Sequence, residues 1–197
     1  GDDVILGWIK GEGKDAPGAN FKYGSQLINA GQVTTFCNYS IISENRLVKK
    51  PKDLPFDQAV LFGCALPTGA GMVLNQINPT KKDSVVVIGL GGVGISALMA
   101  LKAIGVKKII AVDVSKEKLK LAVKLGASHT LNVKDKNFTE SFYNLFKDGA
   151  DYCLESAGKI STIELGFSLL NKNKGKLLFA SHPPDGERIS LLPHELI

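Results

Sequence analysis

The sequence predicts an α/β chain: a doubly wound parallel sheet preceded by part of a smaller, β-rich domain. Two observations predict it. From Ser84 onward, short β-branched runs alternate with helix-length segments, as in "SVVVIGLGGVGISALMALKAIG" and "KKIIAVDVSKEKLKLAVKLG". Strands separated by helices are parallel and covered on both faces, and right-handed crossovers then wind the helices to both sides. Before about residue 66 the texture changes to brief apolar runs broken by Gly, Asn and Pro. The expected division is residues 1–66 and 67–197.

In chain order, "VILGWI", "TTFCNYSII" and "RLVKKP" read as strands between turn residues. The stretch from Gly11 to Gly31 holds five glycines and reads as loop. "LPFDQAVLFGCAL" reads as a helix that starts after Pro55 with Asp57 in its first turn. "TGAGMVLNQ" reads as a second, short helix. Then come strand "SVVVIG", helix "VGISALMALKAIG" closed by Gly105, and strand "KKIIAVD". Helix "SKEKLKLAVKLG" follows, with Ser115 placed to cap its start and Gly126 to end it. The remainder alternates in the same way: "SHTLNV", "TESFYNLFK", "ADYCLES", "ISTIELGFSLL" and "GKLLFAS". That makes five parallel strands. Both chain ends read as cut, so a sixth strand is expected after Ile197.

Composition excludes several classes. The 197 residues are 44% hydrophobic and 22% charged, ordinary for a globular chain. No apolar run approaches the roughly 20 residues a bilayer crossing needs, and no signal-peptide pattern opens the chain. The net charge of +5 is spread over scattered lysines with no aromatic-interleaved basic stripe, so neither nucleic acid nor membrane is an expected partner. Three cysteines, Cys37, Cys64 and Cys153, have no metal-finger spacing, and so sparse a set fits a reducing, cytoplasmic setting. Cys37 and Cys153 fall in strand-like runs and are expected in the core.

The chemistry is concentrated at Gly89-Leu90-Gly91-Gly92-Val93-Gly94, a G-x-G-x-x-G between a strand and a helix. In such a turn the first glycine makes the bend, the second lets the backbone approach a pyrophosphate, and the third lets helix pack on strand. The helix start then directs free N–H groups and its positive dipole end toward the anion. Asp113 closes the next strand, 19 residues after Gly94, where a carboxylate meets the adenosine ribose. A 2′-phosphate there would face that carboxylate, and no Arg follows it, so NAD is expected over NADP. Lys118 and Lys116 both lie within reach of the ribose.

These motifs, with "GDDV", "GCALPTGAG", "KLGASH" and "LESAG" in order, resemble the zinc-containing medium-chain alcohol dehydrogenases along the whole chain. The resemblance implies a Rossmann cofactor domain behind the end of a GroES-like catalytic barrel. It matches Cys64 to a catalytic zinc ligand and Thr68 to the residue beside the nicotinamide. Gly89, Gly91, Gly92, Val93 and Gly94 match the pyrophosphate turn, Asp113 and Lys118 the ribose contacts, and Ala157 and His182 the loop backbone behind the nicotinamide. The activity implied is hydride transfer between NAD(H) and a small alcohol or carbonyl substrate, polyols included, by a homo-oligomeric parent protein.

The other zinc ligands expected of the family have no match here. His129, His182 and His194 all lie in the cofactor half, so this chain is expected to hold little catalytic zinc and to turn over negligibly alone. The lobe "GWIKGEGKDAPGANFKYGSQLINAG" has no cysteine, which argues against the family's structural zinc. Two rivals share the scaffold: a zinc-free enzyme of the quinone-reductase kind, and a nucleotide-binding module without catalysis.

Overall fold

The computed structural model describes residues 1–192. It divides into two compact units, Gly1–Cys64 and Ala65–Ile197.

The first unit has two small antiparallel pairs. Strand β1 (Val4–Leu6) pairs with β4 (Leu47–Lys49), and β2 (Asn20–Tyr23) pairs with β3 (Gln26–Asn29). The β2–β3 hairpin lies inside the segment expected to be loop. Its two-residue connection is Gly24-Ser25, and Gly24 has φ +59°, the conformation a tight hairpin needs at its first central residue. "TTFCNYSII" forms no strand, and Cys37 within it is exposed rather than in the core. The first expected helix is only one turn, α1 (Phe56–Ala59), followed by a tighter 3-10 turn at Val60–Gly63. It stops at Cys64, whose backbone leaves helical space at φ −152°, ψ −71°.

The second unit opens with α2 (Ala65–Gly71), three residues earlier than the helix expected from Thr68. Pro67 falls in its first turn, where a missing N–H leaves no helical bond unmade. The helix widens to π-type over Met72–Ile77 and ends at Asn78, in left-handed geometry.

Five parallel strands follow: β5 (Ser84–Ile88), β6 (Lys108–Asp113), β7 (His129–Asn132), β8 (Tyr152–Glu155) and β9 (Lys176–Phe179). Their spatial order is β7-β6-β5-β8-β9. The connecting helices are α3 (Gly92–Ala103), α4 (Lys116–Leu125), α5 (Phe138–Leu145) and α6 (Ile160–Ser168). As expected, Ser115 Oγ accepts from the Lys118 N–H at 3.3 Å to cap α4, and Gly126 closes it at φ +115°.

Alternation along the strands sorts the core into two layers. Val85, Val87, Ile109 and Ala111 pack with Leu98 and Leu101 of α3 and Leu119 and Ala122 of α4. Val86, Ile88, Ile110 and Val112 face the other way, onto Phe138 and Phe142 of α5. All five residues of β5 are buried, so it is the spine of both layers. Each fully buried Val, Leu, Ile or Phe among these contributes about 1.5–3 kcal/mol.

Residues 188–192 form no strand. His194 and the rest of the edge strand expected around "RISLLPHELI" lie outside the described residues. Among the described residues no single helix is long and apolar enough to cross a membrane.

Candidate functional site

The strand order reverses at β5, with β6 on one side and β8 on the other. The carboxyl ends of strands at such a reversal leave a crevice. Here it is a cleft of about 300 Å³, lined from the turns after β5, β6 and β8.

Three glycines of the β5 turn each have a separate physical reason. Gly89 has φ +87°, and a Cβ there would stand 2.7 Å from the Ala157 amide nitrogen. Its own N–H donates to the Val112 carbonyl at 2.9 Å, tying the turn to β6. A Cβ on Gly94 would fall 1.8 Å from the Gly89 carbonyl oxygen, so α3 and β5 approach as closely as backbones can. Gly91 differs. Nothing lies within 4 Å of where its Cβ would be, and it lines the cleft. Its bare face is turned to open space rather than to protein. Between them Leu90 is buried and anchors the turn.

Helix α3 starts at Gly92, with Gly91 as its N-cap and no side chain capping it. Gly92, Val93 and Gly94 are therefore the N–H groups that have no acceptor within the helix. They stand beside the cleft rather than among its lining residues.

Asp113 is held rigidly. One carboxylate oxygen accepts from the Leu90 N–H at 2.7 Å and the other from the Ser115 N–H at 2.8 Å. The carboxylate thus braces the glycine turn and still offers lone pairs to the cleft. Lys118 lines the same side from the first turn of α4. Next to it, its own backbone amide and then the Ser115 hydroxyl hold the Glu117 carboxyl below the usual carboxylate range.

Ala157 forms the opposite wall. Its neighbour Ser156 donates its N–H to the Ile88 carbonyl at 2.9 Å and its hydroxyl to the Gly89 carbonyl at 2.8 Å. The turn after β8 is thereby clamped to the turn after β5. Ser156, Lys159 and Thr162 also line the cleft, and the sequence reading missed all three. The available signal was position: they flank Ala157 within "ESAGKIST", at the start of a helix that follows a strand.

The structure thus gathers Gly89, Gly91, Asp113, Lys118 and Ala157 around one cleft, with Gly92, Val93 and Gly94 at its helix end. Thr68 and His182 are not among the lining residues. Thr68 is half-buried on α2, next to Gly69, whose Cβ would lie 2.1 Å from the Val93 carbonyl oxygen at the first turn of α3. His182 is exposed in the loop after β9, with Nδ1 3.2 Å from the Pro183 carbonyl.

Cys64 is exposed and ends the first unit. Cys153 is fully buried in β8, where burial and then the Glu155 charge push its thiol far up, out of reach of the thiolate form. Among the described residues no group of three or more His, Cys, Asp or Glu is placed to hold a metal ion.

Comparison with known proteins gives a consistent result. A family model described as zinc-binding dehydrogenase matches residues 92–196. Benzyl alcohol dehydrogenase from Acinetobacter calcoaceticus is similar over the whole chain, at 30% identity and a TM-score of 0.83, with 59% of that protein covered. An alcohol dehydrogenase zinc-binding domain protein from Burkholderia ambifaria is 33% identical over 79% of the chain, with a TM-score of 0.73 and 42% of that protein covered. The alcohol dehydrogenase of Aeropyrum pernix, at 24% identity and a TM-score of 0.80, supports the fold alone. The chain spans between 42% and 59% of the length of these structures.

Proposed function

This chain belongs to the zinc-binding dehydrogenase family, and we propose that it forms the dinucleotide-binding part of an oxidoreductase passing hydride between NAD(H) and an alcohol or carbonyl substrate. The observation that carries the reading is the pairing of Gly91, bare toward open space, with an Asp113 carboxylate pinned by two backbone amides.

The residues fit the cofactor in three ways. The uncapped start of α3 leaves N–H groups that would donate to a diphosphate at Gly91. Asp113, already accepting one amide on each oxygen, has lone pairs left for the two ribose hydroxyls. Ile88, Val112 and Val133 give the cleft an apolar wall for a base, and Lys118 and Lys159 add positive charge at its rim. A bound nicotinamide supplies the hydride chemistry, and this chain supplies orientation. Because its amide bonds prevent Asp113 from swinging aside, a 2′-phosphate would meet a fixed negative charge. That supports NAD over NADP.

The described residues do not fit a catalytic zinc. Cys64 has no second and third ligand among them. The test is calorimetric titration of the protein with NADH and NADPH. Saturable heat with NADH, and binding at least about tenfold weaker with NADPH, supports the reading. No heat at millimolar NADH removes it. Scanning the full protein for alcohol-dependent NADH formation then tests the hydride transfer itself.

A further inference from the structure

Glu155 is the last residue of β8, and none of its surface is exposed. A carboxylate so placed survives only where donors replace its water. Here they come from three segments. Oε1 accepts from the Ala157 N–H at 2.8 Å, the Gly158 N–H at 3.0 Å and the Thr162 hydroxyl at 2.7 Å. Oε2 accepts from the hydroxyl of Ser181, in the loop after β9. The first two donors belong to the turn that walls the cleft, and Thr162 lies in the first turn of α6.

That wall has almost no freedom. The Ala157 amide nitrogen sits 2.7 Å from where a Gly89 Cβ would be, so any movement of Ala157 inward meets the glycine turn. Gly158 turns the chain at φ +78° toward Lys159, which also lines the cleft. The group that holds this turn is the buried carboxylate.

We propose that Glu155 is a positioning residue for dinucleotide binding: its carboxylate fixes the Ser156–Lys159 wall of the cleft and couples it to the loop after β9. The inference rests on the cleft being the dinucleotide site.

The chemistry of the donors makes the test selective. Hydroxyls can rotate to accept, whereas the Ala157 and Gly158 amides can only donate. In Glu155→Gln the side-chain oxygen stays under the two amides, and the new NH₂ donates to a rotated Ser181 hydroxyl. In Glu155→Leu both amides lose their acceptor. Fluorescence titration of the full chain with NADH is expected to give Glu155→Gln a Kd within about twofold of the parent, and Glu155→Leu a Kd raised about tenfold or more. Both are read well below the melting temperature. Rescue by the isosteric Gln is the signature, because nonspecific core damage would not be repaired by an uncharged polar group.

Leu binding like the parent, or Gln weakened as far as Leu, would overturn the proposal. Should Glu155→Leu fail to fold, Ser181→Ala decides: removing one donor raises the Kd about threefold if the network sets the wall, and an unchanged Kd overturns it. Absence of NADH binding by the parent protein would instead remove the dinucleotide reading, and this inference with it.

Discussion

At the amino ends of the strands, Asp151 accepts from the Ser84 amide and hydroxyl at 2.8 and 2.7 Å and from the Lys174 ammonium at 2.6 Å. At the carboxyl ends, Asp113 and Glu155 accept only from amides and hydroxyls. Lys118 and Lys159, the cations nearby, make no ion pair among the described residues. One end neutralises its carboxylate internally, with the Lys174 ammonium. The other keeps negative charge held by dipoles, a bare glycine face and unpaired lysines. The first arrangement stitches β5, β8 and the turn before β9 together. The second leaves capacity for a ligand. The same sheet thus carries an end whose carboxylate is paired with a cation and an end whose carboxylates are not, where the dinucleotide is proposed to bind.

Paired substitutions test that division most sharply at two glycines. Gly94→Ala puts a methyl 1.8 Å from the Gly89 oxygen, and Gly149→Ala puts one 2.4 Å from the Leu170 oxygen on a backbone at φ +85°. Each is expected to cost about 3 kcal/mol or more in denaturant unfolding. Only Gly94→Ala should also abolish NADH binding by the fraction that still folds. Equal loss in both would dissolve the comparison.

Next in size is Asp113→Gly. It removes the fixed charge and the brace on Leu90 and Ser115, so NADH should bind more weakly and the NADH-to-NADPH affinity ratio should fall about tenfold or more. An unchanged ratio would detach Asp113 from the ribose.

Asp151→Ala belongs to the other end. Losing the partners of Ser84 and Lys174 is expected to lower stability by about 1–3 kcal/mol and to leave the NADH Kd unchanged. The acid limb of the stability profile carries the same information. Burial by itself would raise the Asp151 pKa, but the bonds from Lys174 and Ser84 outweigh it and the carboxyl sits below its ordinary value. Its contribution is therefore complete above the unfolded pKa near pH 4 and is lost as pH falls through the lower folded value. Unfolding free energies measured from pH 7 to pH 2 should lose this component in Asp151→Ala.

The smallest effect is expected from Lys174→Ala. The hydrogen bond to Asp151, then its charge, raises the lysine's pKa. The pair's benefit is full below the ordinary lysine pKa near 10.4 and fades as pH rises through the higher folded value. Lys174 is largely exposed, so the change should be near the resolution of thermal melts and vanish in high salt.

How much of this was legible without coordinates differs between the two units. "SVVVIG" and "KKIIAVD" announce buried strands because both their faces are covered and their central runs, Val85 to Ile88 and Ile109 to Val112, are wholly apolar. By contrast, "TTFCNYSII" has the residues of a strand but no partner strand among the described residues, and β preference counts only where a neighbour receives it. The β2–β3 hairpin was readable at Gly24-Ser25, yet the glycines around it looked like loop. Its apolar residues, Phe21, Tyr23, Leu27 and Ile28, remain exposed and make no core that would reveal it.

The sequence alone determined the alternation of strands and helices, the glycine turn and the acid at the end of the next strand, because these are local patterns of period, size and charge. Tertiary structure alone decided which groups share the cleft. Ser156, Lys159 and Thr162 join Gly91 there only because β8 lies beside β5 in the sheet, while Thr68, His182 and Cys64 are left out of its lining. The buried role of Glu155 is likewise invisible in "LESAG": its four donors run from Ala157 to Ser181, and only parallel pairing of β8 with β9 brings the last of them to the carboxylate.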